Sequence, residues 1–262
     1  MKKNGIFYSD IKRIALSPVF WSAIVINVAC MAVNLYNWKD FLGQYRTVGT
    51  LNLFFYGAIF AAGGLMAPIA PILPVLAFGT SIFDDMESGY LRQILTRMKK
   101  STYLMQRVLS IAISGGGVFA ISMTIFWIFL PLIDSAKSPM IDVGSIQAAF
   151  GSIYGYSMFA YFVFYIFVVT LFGALQALLS TGVSLLAQNR YVGLIVPAII
   201  FHGGRLFYGL TGYRFSFIPW YSYAISIKET SGAVYYDFAF YLVICAATIT
   251  LGWNRAKKSG RI

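Results

Sequence analysis

The sequence is poor in charge, in cysteine and in histidine. Charged residues make up 11% of its 262 residues and hydrophobic residues 59%, whereas soluble domains carry about 25% charged residues. A single histidine cannot form a multi-histidine metal site. The two cysteines, Cys30 and Cys245, both lie in apolar segments, which argues against a disulfide scaffold. These shortages exclude a disordered chain, a soluble nucleic-acid-binding module and an ordinary cytosolic enzyme, and they predict an integral membrane protein.

The sequence also lacks the short motifs of several enzyme classes. The dipeptide Gly-Lys does not occur, so there is no GxxxxGK[ST] phosphate-binding loop, and neither GxSxG nor HExxH is present. No aspartate or glutamate lies in the middle of a long apolar segment, whereas ion-coupled carriers and intramembrane aspartyl proteases place ionisable groups at membrane depth. We therefore expect that the chain is not an enzyme, has no catalytic residues, and binds no metal or cofactor itself.

Long apolar segments are abundant. A transmembrane helix needs about 20 apolar residues, because the hydrocarbon offers the backbone no hydrogen-bond partner outside the helix. The apolar runs are continuous rather than alternating, which favours helices. The sequence therefore predicts an all-α integral membrane protein with six transmembrane helices, at residues 19–36, 53–83, 102–132, 155–186, 191–210 and 234–253. Prolines and a glycine run mark expected bends in the second and third spans: Pro68, Pro71, Pro74 and residues 115–117.

The basic residues are unevenly distributed between the two sides of these spans. The net charge is +11, from 20 Lys and Arg against 9 Asp and Glu, and most of the basic residues share a side with both termini. Cytoplasmic loops carry an excess of Lys and Arg. The sequence therefore predicts a multi-pass protein of the plasma (inner) membrane with both termini in the cytoplasm. The partner of the positive charge is then the lipid bilayer, and no nucleic-acid partner is expected.

Residues 1–18 precede the six-span domain, residues 19–262, and have their own pattern. Apolar residues recur there at helical spacing: Phe7, Ile11, Ile14 and Ala15. Asp10 falls elsewhere on the helical wheel. The pattern predicts an N-terminal amphipathic elbow helix on the cytoplasmic face. The elbow is either a simple topological anchor or a mechanical part of a moving assembly.

A second short helix is predicted within residues 84–100, between spans two and three. Asp84 and Glu87 have the spacing of a capping box, which places acidic side chains at the positive end of a helix. An apolar stripe follows, too short to cross a membrane, at Leu91, Ile94 and Leu95. The stripe is suited either to rest on lipid or to dock in a groove of a soluble partner. The acidic cluster opposes the positive-inside bias and indicates contact with something other than anionic lipid.

Few polar residues fall inside the predicted spans. Five are candidates for lining a translocation path: Asn27, Gln176, Ser180, His202 and Arg205. His202 and Arg205 either recognise an anionic group or are a hydrogen-bonded histidine and an arginine that snorkels to the interface. The others either line a path or hydrogen-bond between helices. After the fifth span, residues 211–233 are predicted to form an unusually apolar outer loop.

Two segments outside the spans carry a recognisable pattern. Residues 83–91 (FDDMESGYL) are followed by Ile94-Leu95, and span three begins Tyr103-Leu104 with Arg107; residues 217–221 (FIPWY) precede the last span. These segments resemble the permease subunit of type-2 ABC exporters. The resemblance lies in an acid followed by Gly and a Leu-Leu-like pair, in the Tyr-Leu-x-x-Lys/Arg start of span three, and in the apolar-Pro-aromatic segment before the last span.

The resemblance implies a transport subunit without its own ATPase. The helix between spans two and three would be the coupling helix that contacts a separate cytoplasmic ABC ATPase subunit, through Asp84, Asp85, Glu87, Gly89, Leu91, Ile94 and Leu95. ATP and Mg would be bound by that partner. A second permease, either another copy or a paralogue, would complete the assembly. Because no carboxylate is expected at mid-membrane, the cargo would be apolar or amphipathic: an antimicrobial peptide, a drug or a lipid-like molecule.

Two other functions stay open at this point. An ATP-independent carrier or channel would need a buried acid or a charge pair in a span, and His202 with Arg205 is the one candidate. A membrane-embedded lipid-modifying enzyme would need Asp, His or Lys residues clustered at a membrane face. An adjacent gene that encodes GxxxxGK[ST] would favour the exporter over both.

Overall fold

The computed structural model describes residues 5–37, 69–133, 153, 157–210 and 231–260. Within these residues the chain forms helices and no strands. The helices in chain order are α1 (Gly5–Ala15), α2 (Pro18–Asn37), α3 (Leu73–Phe78), α4 (Ser81–Glu87), α5 (Tyr90–Leu95), α6 (Lys100–Ile133), α7 (Met158–Ala187), α8 (Arg190–Leu210) and α9 (Ser231–Lys258). The predicted all-α class is confirmed for this part of the chain.

Four of these helices, α2, α6, α7 and α9, are long and apolar enough to cross a membrane by length and composition. They coincide with the first, third, fourth and sixth predicted spans. The fifth predicted span coincides with α8, a helix of 21 residues that contains the apolar stretch Arg190–Gly204. The four long apolar helices are consistent with a membrane protein.

The second predicted span, residues 53–83, lies mostly outside the described residues, as does the loop predicted at residues 211–233. The described end of that span is not one helix, because α3 ends at Phe78 and α4 begins at Ser81. Between them, the carbonyl oxygen of Gly79 accepts a hydrogen bond of 2.6 Å from the Thr181 hydroxyl of α7. The chain can therefore turn here without leaving that buried carbonyl unpaired.

The central helix of the described bundle is α7, which packs against α6, α8 and α9. Gly115 of α6 and Gly173 of α7 meet so closely that a Cβ added to Gly173 would lie 2.6 Å from the Gly115 carbonyl oxygen. A Cβ added to Gly115 would lie 2.5 Å from the Gly173 carbonyl oxygen. The sequence predicted a bend at residues 115–117. The helix α6 continues through these residues, and Gly115 allows close approach of two backbones.

The short helix α1 packs against α6 through a face that contains Asp10. Its buried residues are Ile6, Asp10 and Ile14, at positions i, i+4 and i+8, whereas Phe7 is half-buried and Ala15 is exposed. A helix is present in the predicted segment. The burial of Asp10 was not predicted, and the structure gives that carboxylate a buried partner.

Candidate functional site

Four buried side chains meet where α6 begins, and we call them the Arg107 cluster: Asp10 of α1, Asp85 of α4, and Tyr103 and Arg107 of α6. Tyr103 and Arg107 lie four residues apart on one helix, so they project from the same face. All four residues are between 0% and 5% exposed. Charged residues are almost never fully buried unless they are paired, so this grouping demands a structural or functional reason.

Hydrogen bonds connect all members of the Arg107 cluster. The Nη1 atom of Arg107 donates to Oδ1 of Asp10 at 2.6 Å, and its Nη2 atom donates to Oδ2 of Asp85. The Tyr103 hydroxyl donates to the same Asp85 oxygen at 2.6 Å. Arg107 Nε lies 3.3 Å from the Tyr103 hydroxyl oxygen, to which it donates. One guanidinium thus joins α1 and α4 to the first turns of α6.

Aromatic rings surround this charge. The Arg107 Cζ atom lies 5.2 Å from the centroid of the Phe78 ring at the end of α3, and the Arg13 Cζ atom lies 5.6 Å from the same centroid. The Tyr103 ring stacks on Trp253 of α9 at a centroid distance of 6.3 Å. A guanidinium near an aromatic face gains cation–π attraction. The Arg107 cluster therefore links five helices: α1, α3, α4, α6 and α9.

The electrostatics of the Arg107 cluster are unbalanced, because two carboxylates share one guanidinium. Burial raises the pKa of Asp10 above its ordinary value, and the neighbouring Arg107 offsets part of that rise. Removing one partner from a buried ion pair typically costs about 3–5 kcal/mol, since the remaining charge is left uncompensated. The cluster therefore fixes the positions of α1 and α4 relative to α6.

The segment that follows Asp85 differs from the predicted single helix. A left-handed residue, Gly89 with φ of 76°, separates α4 from α5, and this is the position at which glycine commonly ends a helix. Asp84 does not begin a helix, since α4 starts at Ser81, and the Thr80 hydroxyl donates to Asp84 Oδ2 at 3.1 Å. Glu87 is the last residue of α4. The capping box predicted from Asp84 and Glu87 is therefore wrong.

The seven residues predicted to contact an ATPase subunit fall into two groups. Asp85, Leu91 and Ile94 are buried within this chain, with Leu91 fully inaccessible. The other four have accessible surface: Glu87 is exposed, and Asp84, Gly89 and Leu95 are half-buried. Ser88 and Tyr90, which the sequence analysis did not select, are exposed beside them. The turn at residues 87–90 is thus accessible, and Arg92 and Gln93 of α5 are exposed as well.

The structure describes the side chains of four of the five residues predicted to line a path. Asn27 of α2 donates to the Ser122 hydroxyl of α6. Gln176 and Ser180 of α7 are completely buried, and their side-chain polar atoms have no hydrogen-bond partner among the described residues. His202 is half-buried on α8. Arg205 belongs to the same helix, but its side chain lies outside the described part of the structure.

Sequence analysis missed Asp10 as a site residue and used Arg107 only as a basic residue and as part of the family pattern. One signal could have found them both. Asp10 shares a helical face with Ile6 and Ile14, so a buried face of α1 must contain a carboxylate. Arg107, likewise, stands one turn after Tyr103 and is followed by a long, largely apolar helix. A buried acid on one element and a buried base on another predict a pair.

Comparison with known proteins does not identify a family. No protein-family model, no curated protein and no solved structure matches this chain. Within the residues that the structure describes, no group of three or more His, Cys, Asp or Glu side chains could hold a metal ion. Function is therefore inferred from the Arg107 cluster, from the exposed turn beside it and from the long apolar helices.

Proposed function

We propose that this chain is the permease subunit of an ATP-driven exporter of the type-2 ABC kind. It would lie in the plasma membrane with both termini in the cytoplasm, and it would work with a separate cytoplasmic ATPase subunit that binds ATP and Mg. A second permease, a copy or a paralogue, would complete the assembly. The observation that carries the proposal is that the Arg107 cluster fastens the segment of residues 81–95 to both the elbow helix α1 and the start of α6.

This attachment would allow the segment of residues 81–95 to transmit a force from a partner to the rest of the chain. Its turn at residues 87–90 is accessible to a partner, whereas Leu91 and Ile94 are packed inside the chain. A force on the turn would reach Asp85 through one helical turn of α4. From Asp85 it would reach Arg107 and Asp10 through short charge-assisted hydrogen bonds, which are the stronger class of hydrogen bond. Movement of a partner would thus be transmitted to a helix long enough to cross a membrane.

The proposed contact surface is narrower than the predicted one. Glu87 and its exposed neighbours Ser88 and Tyr90 would touch the ATPase, with Asp84 at the edge. Asp85, Leu91 and Ile94 would instead hold the segment in place. The half-buried Asp84 lies 4.0 Å from the Arg190 guanidinium of α8, so the same segment also reaches the start of that helix.

The proposed cargo is an apolar or amphipathic molecule, such as an antimicrobial peptide, a drug or a lipid-like compound. The helices α2, α6, α7 and α8 contain no Asp or Glu. Apart from Arg107 near the start of α6, the buried polar groups described on these helices are neutral amides and hydroxyls, such as Asn27, Ser122 and Gln176. Helices of this composition offer no fixed negative charge to compensate a small hydrophilic cation.

A charge reversal in the exposed turn tests the proposal. Glu87→Lys is expected to abolish copurification of an ATPase that carries GxxxxGK[ST], and to abolish stimulation of its ATP hydrolysis by the permease. Because Glu87 is exposed, the stability of the chain should change by less than about 0.5 kcal/mol. The matched control is Asn254→Lys, which adds a lysine at an exposed position of α9 and should leave binding intact.

Two results would contradict the proposal. One is unchanged ATPase binding and stimulation in Glu87→Lys. The other is full-rate transport by the purified chain in vesicles that contain neither nucleotide nor a second protein. Leu91→Asp is unsuitable as a test, because Leu91 is fully buried and the change would place an unpaired charge in the core.

A further inference from the structure

The Arg107 cluster contains one negative charge more than its single guanidinium can neutralise. Its members come from three helices: Asp10 from α1, Asp85 from α4, and Tyr103 and Arg107 from α6. The nearest further cation on α1 whose position is described is Arg13, whose side chain is exposed and lies over the Phe78 ring rather than against either carboxylate. Two buried carboxylates around one cation commonly share a proton, because both cannot ionise without a large penalty.

The hydrogen bonds distinguish the two carboxylates. Asp85 accepts from two donors, Arg107 Nη2 and the Tyr103 hydroxyl, whereas Asp10 accepts from Arg107 Nη1 alone. The second oxygen of Asp10, Oδ2, is buried and has no partner among the described residues. A buried carboxylate oxygen without a donor is costly to keep charged. The excess proton is therefore better placed on Asp10 than on Asp85.

A hydroxyl beside Asp10 is suited to accept that proton in a hydrogen bond. Ser110 of α6 follows Arg107 by three residues, interacts with Asp10 and is fully buried. Its hydroxyl hydrogen is already donated to the Gln106 carbonyl oxygen at 2.9 Å. With its hydrogen donated to Gln106, the Ser110 oxygen is free to accept from a protonated Asp10, whereas rotation of the hydroxyl towards an ionised Asp10 would lower the pKa of that carboxyl.

We propose that Asp10 is a proton-binding site, at which the carboxyl group is protonated on Oδ2 at neutral pH and donates to the Ser110 oxygen. The proton comes from bulk water and returns to it, and no other bond changes. When the proton leaves, two carboxylates compete for Arg107, and the attachment of α1 to α6 weakens. The Arg107 cluster is then a pH-sensitive latch for the elbow helix. This inference does not depend on the transport function proposed above.

The pH dependence of stability has a definite sign. The folded protein keeps a proton that the unfolded chain releases near the ordinary value of 3.8, because burial raises the pKa of Asp10. The stabilisation that the protonated Asp10 contributes is fully present below pH 3.8. It is lost as the pH rises through the pKa that Asp10 has in the folded protein. Within that window, the unfolding equilibrium constant should rise about tenfold per pH unit.

The first experiment compares unfolding of the full chain in detergent between about pH 5 and about pH 8, where other carboxylates are ionised. Wild type should lose stability with rising pH, and so should the control variant Asp84→Asn. Asp84 is the control because it is a half-buried carboxylate next to Asp85 in the sequence. Asp10→Asn should lack this slope, because its amide imitates the protonated group and does not titrate. Parallel profiles for wild type and Asp10→Asn would overturn the proposal.

A second measurement remains decisive if Asp10→Asn does not fold. The infrared carbonyl band of a protonated aspartic acid, identified by its shift on 13C-aspartate labelling, should be present in wild type at neutral pH. Asp85→Asn should remove the band, because the removal of one carboxylate leaves Arg107 to neutralise an ionised Asp10. Absence of the band from wild type, or its persistence in Asp85→Asn, would disprove the assignment.

Discussion

The helix α6 makes two buried contacts that differ in kind. At its start, Arg107 joins two carboxylates from short helices through charge-assisted hydrogen bonds. Further along, Gly115 meets Gly173 of α7 with the two backbones in contact. The first contact is made by long, charged side chains. The second is made by the backbones, which can meet because glycine has no side chain. One helix thus uses electrostatics at one end and close packing in the middle.

The difference follows from what each partner helix can bury. The helix α1 has 11 residues and α4 has 7, fewer than the roughly 12–15 that an isolated helix needs for even marginal stability. They cannot rely on apolar area alone, so directional charge pairs fix them. The long helix α7 can pack over many turns. In lipid, where apolar side chains gain little by meeting one another, small residues that allow close approach hold helices together.

The largest expected effect comes from breaking the charged contact. Arg107→Met should lower the free energy of unfolding by about 3–5 kcal/mol, because it leaves the buried Asp85 carboxylate without a cation. The measurement is a denaturant titration in detergent, combined with limited proteolysis of α1. Arg97→Met, at an exposed position, should change stability by less than about 0.5 kcal/mol.

A combined variant separates charge from packing in that result. Adding Asp10→Asn and Asp85→Asn to Arg107→Met removes the uncompensated charges and should restore most of the lost stability, since apolar or neutral replacements of a whole buried ion network are often tolerated. An equal loss in the single and the triple variant would mean that the arginine acts by filling space.

The next largest effect is expected at the glycine contact. Gly173→Leu should destabilise the chain by about 1–3 kcal/mol or more, because overpacking forces the helices α6 and α7 apart. The added side chain would begin 2.6 Å from the Gly115 carbonyl oxygen. Gly203→Leu is the matched control, since an added Cβ there meets nothing within 4 Å in the described structure. Similar losses in both variants would show that helix propensity, and not close packing, is being measured.

The long helices were predictable because their signal is local. Each apolar run is long enough to be recognised without knowledge of its neighbours, and α2 and α8 match the predicted ends within one residue. The close contact at the glycine run, residues 115–117, was not predicted for the opposite reason. Whether a glycine bends a helix or receives a neighbour depends on the facing helix, and Gly173 is far away in sequence.

The short segments show the same limit at the candidate site. The helix α1 was predicted, but its buried face was not, because the burial of Asp10 depends on Arg107, 97 residues later. The helix predicted within residues 84–100 divides at Gly89, which has a positive φ. Glycine is a local signal for such a break, but the prediction followed the capping-box spacing instead. Patterns within one segment thus predicted the elements, while pairings between segments determined the site.

The smallest expected effect concerns the neutral polar contact in the middle of α6. Ser122→Ala removes the acceptor of the Asn27 amide hydrogen bond, and such bonds between membrane helices contribute about 0.6 kcal/mol on average. Thr124→Ala is the control, because the exposed Thr124 hydroxyl bonds only to the Ala120 carbonyl of its own helix, and its loss should be smaller still. A loss in Ser122→Ala as large as that in Arg107→Met would contradict the comparison, because a neutral bond would then fasten α6 as firmly as the buried charges do. A loss of the expected size would instead mean that the polar groups within the spans set the register of helices already held together by shape.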